Sequence, residues 1–175
     1  MDMQTQSGFC YSYEVRKTPE KGLGVFATES VEKGQIVWRY VPGRYLVFDE
    51  QMFEKAIRAL PCEKAVYELT HSFGIPDFPA SIVRILDEGV LINHSDNANL
   101  ATNFGVPLSA QLDVSSRSYL RNVSEALLQD RFTLIATRDI QSGEEFTNNY
   151  FEDVLDPPFY LRLCDEYDVK EKYLE

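Results

Sequence analysis

Basic residues are the first shortage in this sequence. Seventeen Lys and Arg face 28 Asp and Glu, a net charge of −11 at neutral pH. Phosphate binding needs a basic stripe, so a nucleic-acid partner is not expected. Cysteine is scarce too: Cys10, Cys62 and Cys164 are scattered and odd in number. That pattern gives no disulfide framework and no zinc spacing, and it fits a reducing, intracellular compartment, cytoplasmic or nuclear. Long apolar runs are missing. The longest is Tyr45-Leu46-Val47-Phe48, against the roughly 20 residues that cross a bilayer, so no membrane span is expected. Met1-Asp2-Met3-Gln4 has neither the basic start nor the apolar stretch of a secretory signal. Histidine occurs twice, as His71 and His94, with no H-E-x-x-H and no G-x-S-x-G anywhere. Metal and serine-hydrolase chemistry therefore have no supporting signature.

What is present suits one folded domain. The chain has 175 residues, 44% of them hydrophobic, enough for a real core. Leu23 to Thr28 is β-prone, and a turn at Glu32-Lys33-Gly34 leads into a second strand, Gln35 to Val41. From about Asp49, a candidate N-cap, the residues Met52, Phe53, Ala56, Ile57 and Leu60 repeat at helical spacing. Cys62 to Glu88 is ambiguous. Arg131 to Arg138 alternates like a half-buried strand. Beyond Asp156-Pro157-Pro158, the residues Tyr160, Leu163, Cys164 and Tyr167 share one face of a terminal helix. Many short strands with a few helices predict a β-rich α+β domain.

Three motifs stand out. Gly22-Leu23-Gly24-Val25-Phe26-Ala27 fits G-x-G-x-x-A formally, but it runs into β-prone residues. A dinucleotide fold needs a helix there. Leu91-Ile92-Asn93-His94-Ser95-Asp96-Asn97-Ala98-Asn99 takes an apolar strand end into small polar side chains that could simply cap turns. Gly143-Glu144-Glu145-Phe146-Thr147-Asn148-Asn149-Tyr150 is a turn entering a strand and ending on tyrosine.

Taken in order, with Glu32-Lys33-Gly34-Gln35-Ile36-Val37 and Ile135 to Glu145 as flanks, these motifs resemble the SET domain of protein lysine methyltransferases. The resemblance covers about Tyr13 to Phe151. It implies a fold of several short β-sheets with a knot-like C-terminal core. A helical or variable insertion over about 49–88, a second insertion over about 105–130 and a C-terminal segment over 152–175 would complete one domain over 1–175. Three positions depart from the family pattern: Ala98 replaces a usual proline, Asn149 an aspartate and Phe151 a glycine. A cysteine-rich zinc segment is also missing, and Phe151, Phe159, Tyr160 and Tyr167 are candidates for the wall it would have supplied.

The resemblance further implies S-adenosylmethionine as cofactor and a lysine side-chain amine as methyl acceptor. Gly22, Leu23 and Gly24 would meet the amino-acid end of the cofactor through backbone groups. Asn93 and His94 would hold it, with backbone contacts to adenine. Tyr150 is the implied catalytic tyrosine and Tyr40 the implied channel tyrosine, with plain core packing as the rival reading of Tyr40. The negative net charge then suits a basic, lysine-containing protein or peptide partner. A homodimer through the C-terminal segment is compatible with the sequence, though no feature argues for it. The alternative function is a SET-fold binding module that has lost catalysis.

Overall fold

Frequent turns cut the chain into short elements. The computed structural model describes residues 7–19, 21–103, 112 and 114–169. In chain order the strands and helices are β1 (Tyr13–Lys17), β2 (Leu23–Ala27), β3 (Ile36–Trp38), β4 (Tyr45–Phe48), α1 (Glu50–Arg58), α2 (Cys62–Thr70), β5 (Ser72–Phe73), β6 (Ile82–Ile85), β7 (Asn93–His94), β8 (Leu100–Thr102), α3 (Tyr119–Leu127), β9 (Leu134–Ala136), β10 (Thr147–Asn148), α4 (Tyr150–Asp153) and α5 (Pro158–Glu166). This is the expected β-rich α+β composition. The elements sort into two compact units. One comprises Met1–Tyr45, Leu86–Pro107 and Leu127–Tyr150; the other comprises Leu46–Ile85, Leu108–Ala126 and Phe151–Glu175.

The first unit opens with an antiparallel hairpin, β1 against β2, in register from Tyr13 opposite Ala27 to Lys17 opposite Leu23. Gly22 sits in its turn at φ +77°, a left-handed conformation that a side chain resists. After Gly24 the chain is strand rather than helix. That removes the dinucleotide-fold alternative. A five-stranded sheet follows, in the order β3-β9-β8-β10-β7. β10 lies between β7 and β8 and runs parallel to both, with Thr147 opposite Asn93 and Asn148 opposite His94 and Leu100. The expected strand over Arg131 to Arg138 is narrower. Asp130–Phe132 forms a 3-10 turn because the Asp130 carbonyl accepts from both the amide of Thr133 (3.1 Å) and its hydroxyl (2.6 Å).

The second unit is built on helices. Asp49 caps α1 as expected, its carboxylate accepting from the Met52 amide at 2.8 Å. Only Phe53 and Ile57 of the helical repeat are buried; Met52 stays 48% exposed. Pro158 opens α5, a position where its missing N–H costs nothing. Phe53, Ile57, Ala65, Leu69, Ile82, Phe159, Tyr160, Leu163 and Cys164 form one buried cluster. Each large apolar side chain buried there contributes about 1.5–3 kcal/mol. The ambiguous stretch of the sequence proves to be mixed. It holds α2, then β5 and β6 in a three-stranded sheet ordered β4-β6-β5, so the 49–88 insertion is not helical throughout. Of the second insertion, α3 is seen, while residues 104–111 and 113 lie outside the described residues, as does the tail over 170–175.

Candidate active site

Every residue to which the resemblance gave a cofactor-binding or catalytic role lies in the first unit, whereas the wall candidates Phe151, Phe159, Tyr160 and Tyr167 fall in the second. The site begins at the exit of the hairpin turn. A Cβ added at Gly24 would come within 2.3 Å of Glu145 Oε1 and 3.0 Å of Asn93 Nδ2, so only glycine admits these two side chains. Asn93 answers on β7. Its Nδ2 donates to the Leu23 carbonyl at 3.1 Å and to Glu145 Oε1 at 2.7 Å. Gly24, Leu23, Asn93 and Glu145 thus form one contiguous group. Lys21 joins it, its Nζ donating to the His94 carbonyl at 2.5 Å.

His94 connects this group to the tyrosine. Its Nδ1 accepts from the Tyr150 amide at 3.2 Å, which places the ring proton on Nε2, 3.3 Å from Asp96 Oδ1. The His94 and Tyr150 rings lie 5.4 Å apart, tilted by 47°. The Tyr150 hydroxyl donates to the carbonyl of Ile92. Burial, with a smaller contribution from the nearby Glu145 carboxylate, pushes this phenol up to about 12. It is therefore a neutral hydroxyl throughout the physiological range.

Asn99 ties the two strand ends together. It is 2% exposed; its Nδ2 donates to the Glu145 carbonyl at 2.8 Å and its Oδ1 accepts from the Thr147 amide at 3.0 Å. The Ala98 departure leaves this arrangement intact. The two departures beside Tyr150 have different settings: the Asn149 amide donates to Asn148 Oδ1 at 2.9 Å, whereas Phe151 is 61% exposed.

Tyr40 belongs to a different, aromatic group. It is 8% exposed and meets Trp38 and Tyr45 edge-on, at ring distances of 4.7 and 5.2 Å. The group is anchored by Asp87, whose carboxylate accepts from the amides of Gly8 (2.7 Å) and Gly89 (2.9 Å) and from Trp38 Nε1 (3.2 Å). Of the other candidate wall residues, Phe159 and Tyr160 are in the second unit's core. The Tyr160 hydroxyl is held between the carbonyls of Leu69 and Ser72, 2.8 Å from the latter. That hydroxyl is committed to the fold, so Tyr160 leaves the list of wall candidates.

The order of these parts along the chain is diagnostic. The family model of the SET domain matches residues 22–151. This chain belongs to the SET domain family. Among curated relatives, SET domain similarity reaches N-lysine methyltransferase KMT5A-A of the zebrafish Danio rerio. That protein is 29% identical over 137 residues, which cover 78% of this chain and 34% of the relative. The chain thus spans about a third of that relative's length. Solved SET structures share the fold. The Neurospora SET domain protein DIM-5, a histone lysine methyltransferase, has TM-score 0.51 and 18% identity, covering 85% of this chain and 55% of its own. The structure of ctPRC2, autoinhibited and bound to S-adenosylmethionine, has TM-score 0.54 and 17% identity, covering 90% and 17%.

Two contributors to this SET site, Glu145 and Asn99, lay inside the quoted motifs but had no role assigned from sequence. Their signal was chemical: a carboxylate and an amide, each set among residues that must meet across the sheet. Lys21 and Asp87 gave no such signal.

Proposed function

We propose that this chain transfers a methyl group from S-adenosylmethionine to the side-chain amine of a lysine in a basic protein segment. The observation that carries the reading is the Tyr150 arrangement. A neutral phenol is fixed to a backbone carbonyl, and its own amide is held by His94, whose neighbour Asn93 is bonded to Glu145 beside Gly24.

The residues fit the cofactor on chemical grounds. Asn93 and the backbone around Leu23 supply polar groups for a zwitterionic amino-acid end, and a Cβ at Gly24 would displace the Asn93 and Glu145 side chains that shape this corner. Bound there, S-adenosylmethionine supplies an electrophilic methyl on a sulfonium. The protein's part is orientation and dryness. Tyr150, with Tyr40 as the proposed second ring, would line the approach of the amine. An apolar approach disfavours the ammonium and so lowers the lysine's usual pKa of about 10.4. The protonated Tyr150 hydroxyl orients the amine and does not act as a base. Alignment of this kind is worth orders of magnitude in rate.

The acidic charge supports a basic partner, and it is also the sole basis for excluding nucleic acid. Raising salt should weaken binding of a basic peptide, and a labelled DNA duplex should not be retained at physiological salt. A second reading, a binding module without catalysis, draws on the exposed Phe151 where the family has glycine.

The deciding experiment has two steps. Calorimetry with S-adenosylhomocysteine tests the site, since a ligand that binds only the folded protein also raises its stability. Radiolabelled methyl transfer to a lysine-rich protein mixture then tests the activity. Tyr150→Phe should keep the binding and lose turnover by about 10²-fold. Binding without transfer would favour the inactive module; absence of binding would sink the methyltransferase reading and leave the module.

A further inference from the structure

Glu145 has no role in the reading above, yet its side chain lies against both Gly24 and Asn93. Its backbone is fixed on every side. The Phe26 and Glu145 backbones form an antiparallel bridge, the Ala27 amide donates to the Glu144 carbonyl at 2.9 Å, and the Phe146 amide donates to the Val25 carbonyl at 2.8 Å. The Glu145 carbonyl itself accepts from Asn99 Nδ2 at 2.8 Å. The carboxylate is thus delivered by a rigid frame, and Gly24 is the residue that leaves room for it.

The consequence falls on Asn93. A side-chain amide can rotate by half a turn, exchanging its oxygen and nitrogen. Here both hydrogens of Nδ2 have acceptors, Glu145 Oε1 at 2.7 Å and the Leu23 carbonyl at 3.1 Å. The opposite orientation would set Oδ1 against two acceptors. The rotation is locked, and the amide oxygen is kept on the side away from these two acceptors.

We infer that Glu145 is a positioning residue: it fixes the Asn93 amide so that its oxygen reads the cationic ammonium at the amino-acid end of the cofactor. The inference rests on the methyltransferase reading and adds a specificity element to it. Its ligand chemistry is definite. An α-ammonium beside Leu23 and Gly24 finds a held acceptor, and a ligand lacking that group gains nothing from the lock.

The test compares two ligands, S-adenosylhomocysteine and 5′-methylthioadenosine, which lacks the amino-acid end. Glu145→Ala should weaken S-adenosylhomocysteine about ten- to hundredfold, the size expected for a hydrogen bond to a charged group. Affinity for methylthioadenosine should stay unchanged. Glu145→Gln keeps an acceptor at the same place and should bind S-adenosylhomocysteine nearly as the parent does. Glu145→Met fills the volume without an acceptor and serves if truncation unfolds the chain. Equal loss for both ligands would mean a structural role only and overturn the proposal. So would a Gln variant as weak as the Ala variant, which would point to charge attraction instead. Failure of the parent protein to bind either ligand refutes the cofactor reading itself, a result distinct from either of these.

Discussion

The two units hold themselves together in different ways. The second unit is knitted by apolar contact: Phe53, Ile57, Leu69, Tyr160 and Leu163 close one cluster between three helices and a strand. The first unit has strands as short as two residues, and side-chain amides and carboxylates bridge what the ladders cannot. Asn99, Asn93, Glu145 and Asp87 each join segments far apart in sequence. Apolar packing is non-directional and gives bulk stability. Directed hydrogen bonds give modest net stability, but they fix geometry. A site that must align reacting groups is therefore better served by the second kind of bonding.

The contrast can be broken most forcefully from the apolar side. Leu163→Ala removes a fully buried side chain and should cost about 2–5 kcal/mol, read as a fall in Tm. The folded fraction should bind S-adenosylhomocysteine as before; a parallel loss of affinity would show that the units do not divide the labour as described.

Next in size is a pH effect at Tyr150. Its phenol ordinarily titrates near 10 and is held up to about 12 in the folded chain. Between those values the native state keeps a proton that the unfolded state has released. The contribution is fully present below pH 10 and is lost as pH rises from 10 to 12, about 3 kcal/mol in all. Tyr150→Phe should show a correspondingly smaller loss over that window in pH-dependent unfolding. Identical pH curves for the two proteins would contradict the burial of the hydroxyl.

Asn99→Ala should cost about 1–3 kcal/mol, because it strands a partly buried carbonyl and a partly buried amide. Cofactor affinity should fall with it, unlike for Leu163→Ala, since both stranded groups belong to the Glu145–Thr147 segment. Stability loss with full affinity would blur the comparison. Smallest is Arg162→Ala. The guanidinium meets Glu50 at 2.9 Å and Glu54 at 2.6 Å but is 52% exposed, and such exposed pairs contribute little. Its Tm should match the parent's within measurement scatter.

Sequence alone carried the first unit further than the second. The glycine pair, Asn93-His94 and the stretch ending in Tyr150 are local patterns whose residue types are constrained by backbone approach and hydrogen bonding, so they are visible in one dimension. The helical pattern after Asp49 and the terminal helix were legible because periodicity survives in a short window. The stretch from Cys62 to Glu88 was not: β5 and β6 are short, and β6 is buried throughout, so no alternation marks it. The roles of Glu145 and Asp87 were equally hidden, because each depends on partners that only the folded chain brings near.

The placement of β10 has a consequence in time as well as in space. It lies parallel between β7 and β8, two strands made much earlier in the chain. Non-local parallel pairing is slow, since the loop between the strands must close before any bond rewards it. The Asn93 and Tyr150 segments should consequently dock at the end of folding, with the rest of the first unit already formed. Pulse-labelled hydrogen exchange should find the amides of β10 protected last. On that schedule, a chain able to grip its ligand is a chain that has finished folding.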